Sequence, residues 1–419
     1  MAWDLQIYHI DVIGSGDATL VVAENDTTGQ KRTMLIDGGR LGYGRNLHLA
    51  VQDYLEGSNL DVIVATHYDS DHIGGIQFLL NTGHASYANT RIYDQGEQAT
   101  VYSVWVRNSP GTMPAGRHEA RFLLFQREND YTNYLRAVDG RVRITATVSS
   151  SDTLDPLSLL VTQLNWRQPN WLLGREILWD GTGGIPPGAP TVQCLAVNQY
   201  VRNAAGVSNL RRNGLLTTAD RLKNEKSIAL KITFNNFRYY VGGDIESTQE
   251  DGSFNHANIN QNNGIADNLN HNNNLGGRIQ AFKTSHHGSD ISTSNYFLNR
   301  VRPRVAFISC GVNNQYNHPR QRVVNSLQAS TCVHYFLTGP SYQGGGAVLT
   351  QKARVAGVWR LNQNGTRTLV EEGDIVLTLS QTQSNNIPPQ FGINYYQTDN
   401  GGMPDNPGPP PHSFRVENY

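Results

Sequence analysis

Val62-Ile63-Val64-Ala65-Thr66-His67-Tyr68-Asp69-Ser70-Asp71-His72-Ile73-Gly74-Gly75 is the stretch on which the reading of this chain turns. Its first four residues form a short, wholly apolar run, the pattern of a strand buried on both faces. Directly after it, His67, Asp69, Asp71 and His72 put four metal-competent side chains within six residues. A tight turn there points His67 and Asp69 to one side and Asp71 and His72 to the other, so one loop can serve two adjacent cations. Imidazole with carboxylate is a donor set for zinc, manganese or iron rather than calcium. At His72 the pattern becomes helical, with Ile76, Leu79 and Leu80 at helical spacing, and Gly74-Gly75 lets the backbone approach a neighbour closely. The competing reading is a hydrated acidic loop at a strand end.

That competing reading weakens because other predicted strand ends carry the same residue types. Thr33–Ile36 reads as a strand that ends in Asp37. Ser227–Phe234 and Phe237–Val241 read as a hairpin that closes on Gly242-Gly243-Asp244, an acid placed to bridge two metals. Ile279–Phe282 reads as a strand that runs into Lys283-Thr284-Ser285-His286-His287-Gly288-Ser289. In layered α/β folds, sites gather at strand ends.

The 419 residues are long enough for two to three domains of ~150 residues each by length alone. Lys and Arg number 34 against 35 Asp and Glu, a formal charge of −1, which excludes a strongly basic polyanion binder and an acidic solvating tail. Charged residues make up only 16%, and the polar remainder is rich in Gly, Asn, Gln, Ser and Thr, so a β-containing, enzyme-like domain with long loops is expected. Cys194, Cys310 and Cys332 lie far apart and form no metal pair or disulfide framework; they read as buried reduced thiols. The first residues are interrupted by Asp4, His9 and Asp11, lack a basic leader pattern, and no run of 18 apolar residues occurs, so a soluble, cytoplasmic protein with no membrane partner is expected. Residues 255–274 hold ten Asn in twenty positions, a low-complexity loop, and the chain beyond Ser380 is rich in Gln, Asn, Gly and Pro.

The motifs together resemble the metallo-β-lactamase-fold hydrolases, and in detail the soluble hydrolase domain of ComEC-type DNA-uptake proteins and their stand-alone relatives. The shared order is Asp37, then H-x-D-x-D-H at 67–72, then Asp244, then the His286-His287 pair. Asp11-Val12-Ile13-Gly14-Ser15-Gly16-Asp17-Ala18 follows that group's D-V-G-x-G-D-A with Ile13 as an extra residue, and Asn314-Gln315-Tyr316-Asn317-His318-Pro319 follows its late N-x-Y-x-H-P. The resemblance implies an α/β (α+β) fold, a four-layer αββα sandwich with long loop insertions and the site at one edge. It implies a hydrolase domain over 1–380 with insertions at about 83–205 and 247–277, and a disordered tail over 381–419. It also implies roles. His67 and Asp69 hold one metal; Asp71, His72 and one of His286/His287, with His287 preferred, hold the second; Asp244 bridges; Asp37 supports from behind. One or two divalent ions, zinc or manganese, are the implied cofactor. Asp69 stands where most of the superfamily has His, which makes the first site harder and favours manganese. No matching histidine occurs between the first cluster and Asp244; Asn224 and Ser227 fill that place.

The chemistry expected of such a centre is hydrolysis by a metal-activated water, with Asp71 at the metal and His318 supplying a proton to the leaving oxygen. Thr284 and Ser289 flank the histidine pair as orienting hydroxyls. A phosphodiesterase or nuclease acting on nucleic acid or a nucleotide is the first expectation. It is supported by basic residues at Arg202, Arg211, Arg212, Arg221, Lys223 and Lys226, and at Arg300, Arg302, Arg304, Arg320 and Arg322. Tyr239, Tyr240, Tyr296 and Trp105 are candidates for base stacking, with core packing as the alternative. A hydrolase of a small ester, lactone, thioester or β-lactam is the second expectation, and a non-catalytic metal-binding interaction module the third.

Overall fold

The computed structural model describes residues 2–13, 16–96, 129–145, 171–203, 206–210, 224–252, 264–269, 279–311, 314, 316–339, 347–361, 367–395 and 397–400. The first half runs β1 (Trp3–His9), β2 (Thr19–Asn25), β3 (Lys31–Ile36), α1 (Gly44–Leu55), β4 (Val62–Ala65), α2 (Ser70–Asn81), β5 (Arg91–Asp94), α3 (Asn129–Val138) and β6 (Arg143–Thr145). The second runs β7 (Thr191–Val197), β8 (Tyr200–Asn203), β9 (Gly206–Asn209), β10 (Ala229–Phe234), β11 (Phe237–Val241), α4 (Ser247–Asp251), α5 (Ile265–Asn268), β12 (Ala281–Lys283), α6 (Asn295–Val301), β13 (Val305–Ile308), α7 (Gln321–Ala329), β14 (His334–Leu337) and β15 (Ala353–Val355). It closes with β16 (Gly357–Leu361), β17 (Arg367–Glu372), β18 (Ile375–Ser380), α8 (Gln381–Asn385), β19 (Gly392–Tyr395) and β20 (Gln397–Asn400).

Two large sheets result. The first has the order β19-β18-β1-β2-β3-β4-β5-β6 and the second β15-β14-β13-β12-β11-β10-β7-β8-β9. A third, small sheet has the order β17-β16-β20. Period-two alternation divides each strand between two cores. Leu5 and Ile7 of β1, Val21 of β2 and Val62 and Val64 of β4 meet Leu230, Phe237, Tyr239 and Phe307 of the other sheet. Their neighbours Tyr8, Leu20, Val22, Ile63 and Ala65 pack outward on Leu47, Val51, Ile73 and Leu79 of α1 and α2. The second sheet buries Tyr240, Phe282, Ala306 and Tyr335 under Phe297, Val323 and Leu327 of α6 and α7. Helix, sheet, sheet, helix is the four-layer αββα sandwich expected from the motif order. Among the described residues no helix is long and apolar enough to cross a membrane, and the three cysteines are buried and form no disulfide.

The expected boundaries need correction. The range 83–205 holds β5, β6, β7 and β8, which belong to the two sheets, and α3, which packs on the first. The range 247–277 holds α4 and α5 against α6. Residues 381–395 are not a tail: α8 is capped by Ser380, and β19 pairs with β18 through Ile375↔Tyr395 to Thr378↔Gly392, burying Phe391 and Ile393. Residues 401–419 lie outside the described residues.

β3 and β4 are parallel, as are β11, β12 and β13, so their C-terminal ends share one edge. At that edge α2 sits against the loop after β3. Gly38 N donates to His72 O at 2.7 Å and Gly75 N donates to Gly39 O at 2.8 Å. A Cβ at position 75 would fall 1.8 Å from Gly38 O and 2.8 Å from Leu47. Gly75→Ala is therefore expected to cost ~1–3 kcal/mol or more of stability through overpacking. Gly42→Ala, where nothing lies within 4 Å, is expected to stay within ~0.5 kcal/mol of the parent. Urea unfolding of both variants checks this, and equal stabilities would disprove the close approach.

Candidate metal centre

The site is built from a buried carboxylate outward. Asp37 follows β3 with φ of 59° and is 2% exposed. Its Oδ1 accepts from Thr66 N at 2.8 Å, and its Oδ2 accepts from Thr66 Oγ1 at 2.8 Å and from His72 Nδ1 at 2.8 Å. These bonds fix protons. His72 donates from Nδ1, which turns Nε2 toward the interior of the site. The single hydroxyl proton of Thr66 goes to Asp37, so Thr66 Oγ1 accepts from His67 Nδ1 at 3.1 Å. His67 then presents a bare Nε2 as well. On the other sheet, Ser309 O accepts from His287 Nδ1 at 3.1 Å, leaving His287 Nε2 in the same position.

All these Nε2 atoms face Asp244. Its Oδ1 is 3.2 Å from His72 Nε2 and 3.7 Å from His287 Nε2; its Oδ2 is 3.7 Å from His67 Nε2 and 3.7 Å from His286 Nε2. His67, His72 and His287 are buried, and their Nε2 atoms have no hydrogen-bond partner. Ligand atoms from Asp17, His72, Asp244 and His287 lie within 4.8 Å of one another, the one such group of four found among the described residues. Orphaned imidazole nitrogens converging on a buried carboxylate fit a divalent cation.

The electrostatics agree. Burial pulls the His72 imidazole down, but the carboxylates of Asp244 and Asp37 overcome it and raise its pKa well above the usual value. Burial pushes Asp244 up, but His72, His286 and His287 hold it well below the usual carboxylate range. His287 is likewise raised by Asp17 and Asp244 against the pull of burial. The local field therefore favours positive charge between the histidines. His286 lies lower than usual, burial being the largest cause.

The remaining expected residues lie at the following positions. Asp69 caps α2 without a side-chain capping bond, and its Oδ2 lies 3.6 Å from His67 Nε2. Asp71 lies 3.6 Å from Arg40 and outside the group of four. His286 and His287 both have positive φ, 50° and 52°, a bend that sends both rings toward Asp244. His318 is buried with its ring centroid 5.5 Å from His286 and 6.1 Å from His287. Burial and those neighbours push its pKa down to about 3, so the ring is neutral at pH 7 and offers an N–H rather than an imidazolium proton. Ser227 and Asn224 are buried near the loop after β4, where Ile228 N donates to Thr66 O at 2.9 Å. Thr284 is buried with an unpartnered Oγ1, and Ser289 N donates to His286 O at 2.8 Å.

Several expectations are redirected. Tyr239 and Tyr240 are core residues, and Tyr296 is partly buried on the core under Arg300. Arg300 pairs with Asp267 at 2.7 Å, and Arg322 donates to Ser289 O at 3.3 Å, so neither belongs to a free basic rim. Arg211, Arg212, Arg221, Lys223 and Trp105 lie outside the described residues. Asp17 was not among the expected site residues, although it sits in the D-V-G-x-G-D-A-like motif and the motif was its signal. Lys283, buried beside it, was also absent from the expected set.

Glu250 braces the histidine loop from behind. Ser285 Oγ donates to its Oε1 at 2.8 Å and Thr293 N donates to its Oε2 at 2.6 Å. Burial, and next the nearby Asp251, raise its pKa from 4.5 to about 8. Asp251 is raised to about 7, chiefly by burial.

Comparison with known proteins follows the same lines. Residues 12–108 match the family model of the Metallo-beta-lactamase superfamily. ComE operon protein 3 of Bacillus subtilis (strain 168) is 30% identical over 106 residues, 25% of this chain and 12% of that protein. Competence protein ComA of Neisseria gonorrhoeae is 44% identical over 50 residues, 12% of this chain and 7% of that protein. The matched stretches thus span 12% or less of the length of these relatives. Among solved structures, the metallo-beta-lactamase fold protein YhfI from Bacillus subtilis aligns with a TM-score of 0.31 at 10% identity, covering 72% of this chain and 85% of that one.

The raised Glu250 carboxyl has a measurable consequence. Between about pH 4.5 and pH 8 the folded protein holds a proton at Glu250 that the unfolded chain releases, so stability from this group is full below that window and falls as pH rises through it. Glu250→Gln removes the titration. Its melting temperature relative to the parent is expected to rise steadily from pH 5 to pH 8; a constant offset would show that Glu250 does not titrate there.

Proposed function

On the premise that this chain carries a metallo-beta-lactamase domain, we propose that it is a metal-dependent phosphodiesterase acting on nucleic acid or a nucleotide. The observation that carries this reading is the convergence of the His67, His72, His286 and His287 Nε2 atoms on Asp244 at 3.2–3.7 Å. In this reading His67 and Asp69 hold one cation, His72 and His287 with Asp71 hold the other, and Asp244 faces both. When bound, divalent ions supply Lewis acidity, which lowers the pKa of a coordinated water and offsets charge on the attacked group.

The chain's own residues do the rest. Asp37 keeps the His72 proton at Nδ1 and, through Thr66, the His67 proton at Nδ1, so both rings keep their Nε2 lone pairs on the site. Glu250 and Ser285 hold the loop that aims His286 and His287. His318 stands over that pair and donates a ring N–H to the departing oxygen. Arg40, near Asp71, and Arg320, whose N donates to Gly288 O at 2.8 Å, put guanidinium groups on the loops around the site. Asp69, Asp71 and Asp244, the carboxylates assigned to the cations in this reading, make it an oxygen-rich centre suited to manganese or zinc and to an anionic substrate held by metal charge. The motif resemblance to ComEC-type hydrolase domains supports a phosphodiester over a carbon ester.

The test is cleavage of labelled single-stranded DNA, duplex DNA, RNA and bis(p-nitrophenyl) phosphate, with manganese, magnesium or zinc restored after chelation. Asp244→Asn and Asp71→Ala are expected to abolish turnover in a folded protein. His318→Ala is expected to lower turnover ~10²–10³-fold with metal content kept, the range for loss of one positioned hydrogen-bond donor to the developing negative charge. A metal-loaded protein that cleaves none of the four would overturn the phosphodiesterase reading and turn attention to small esters and lactones.

A further inference from the structure

Asp17 and Lys283 lie behind the centre and no step above uses them. Asp17 stands at the start of β2 in the first sheet and Lys283 ends β12 in the second. They are 2% and 1% exposed, and Lys283 Nζ donates to Asp17 Oδ2. Lys283 Nζ is also 3.5 Å from Thr284 O, which can accept from it. Asp17 Oδ1 lies 3.2 Å from His287 Nδ1, the nitrogen that also faces Ser309 O at 3.1 Å, and Oδ2 lies 4.0 Å from His72 Nδ1. Asp17 thus meets the Nδ1 edges of the two rings, whereas Asp244 meets their Nε2 edges. The Asp17 backbone is tied in too: its N donates to Asp71 O at 3.1 Å, and its O accepts from Gly39 N at 2.8 Å. One residue therefore touches the loop after β3, the first turn of α2 and, by its side chain, Lys283 at the end of β12 and His287 in the loop that follows.

We propose that Asp17 and Lys283 are a positioning pair for the metal centre, in which Lys283 fixes the Asp17 carboxylate and Asp17 fixes the His287 ring with Nε2 on Asp244. This rests on the metal-hydrolase reading above. A fully buried ion pair is a poor way merely to hold two sheets together, since an apolar pair of similar size does that at no desolvation cost. What the ion pair adds, beside the Ser309 carbonyl that already faces Nδ1, is a carboxylate held rigidly against a ligand histidine, which steadies the ring's orientation and raises its basicity. The arrangement crosses the sandwich: Asp37, after β3, holds His72 on α2 beside the same sheet, while Asp17, before β2 of the first sheet, meets His287 in the loop after β12 of the second. The two half-sites are registered by this contact before any cation joins them.

The experiment uses the full chain after chelation, with zinc and manganese as probes in competition with a chromophoric chelator, alongside thermal unfolding of the metal-free proteins. Asp17→Asn is expected to bind zinc ~10–100-fold more weakly, the usual loss when a histidine's outer partner is removed. The double variant Asp17→Asn/Lys283→Met, which removes both buried charges together, is expected to regain folding stability while keeping the weakened binding. Parent-like affinity in either variant would overturn the proposal and leave the pair a structural clamp only. Independently of any variant, ring ¹⁵N shifts of the zinc-loaded parent are expected to show His287 bound through Nε2 with a proton on Nδ1; zinc on Nδ1 would overturn it. A parent that binds neither metal would overturn the metal-hydrolase reading and this inference together, whereas metal binding unchanged by Asp17→Asn overturns this inference alone.

Discussion

Three hydrogen bonds to the carboxylate of Asp37 hold the site in order. A buried carboxylate with its oxygens satisfied by Thr66 N, Thr66 Oγ1 and His72 Nδ1 is a fixed object, since each bond it lost would leave desolvated charge uncompensated. Because it bonds to both a backbone amide and two side chains, it locks the end of β4 against the end of β3 and dictates which nitrogen of two histidines carries hydrogen. Ligand geometry and strand register are thus set by the same group. The left-handed backbone at Asp37 bends the chain so that the side chain turns in on the loop of the next strand rather than continuing along its own.

The surrounding architecture follows from that requirement. A site with this many buried charges needs rigid walls, and the walls are strand ends of two sheets whose inner faces share one core. Close approach is possible where side chains are missing. Gly16, Gly38, Gly74 and Gly75 sit where a Cβ would meet backbone within 3 Å or less, and this lets three loops crowd around Asp17 and His72. The desolvation cost of the charges is offset by mutual pairing: Asp37 with His72, Asp17 with Lys283 and His287, and Asp244 with the histidines.

Much of this was legible in the sequence, because the signals were local. The apolar run at 62–65 reads as a buried strand and is β4. The hairpin closing on Asp244 forms with Asn235 at φ of 51° in its two-residue turn, and the H-x-D-x-D-H and H-H-G-S loops both sit at strand ends. What was not legible depends on contacts between distant residues. β7 and β8 follow a Gly- and Pro-rich stretch that gives no strand signal of its own, and their pairing with β10 and β9 is what marks them as strands. β19 reads as part of a polar tail because its apolar residues are few, yet Phe391 and Ile393 find a core. Asp17 and Lys283 look like ordinary loop and strand residues; their burial and pairing arise only when the two sheets face each other.

The position of β1 has a further consequence for how the molecule is made. β1 lies between β2, which follows it directly, and β18, which comes late in the chain. During synthesis, β1 therefore pairs along one edge early and waits, its other edge open, until residues near 375–380 have left the ribosome. An open apolar edge is a site for pairing with the wrong chain. The first sheet, which carries Asp37, His67 and His72, thus depends for its closure on the last part of the second half being translated, and slow or truncated synthesis would expose that edge to other chains.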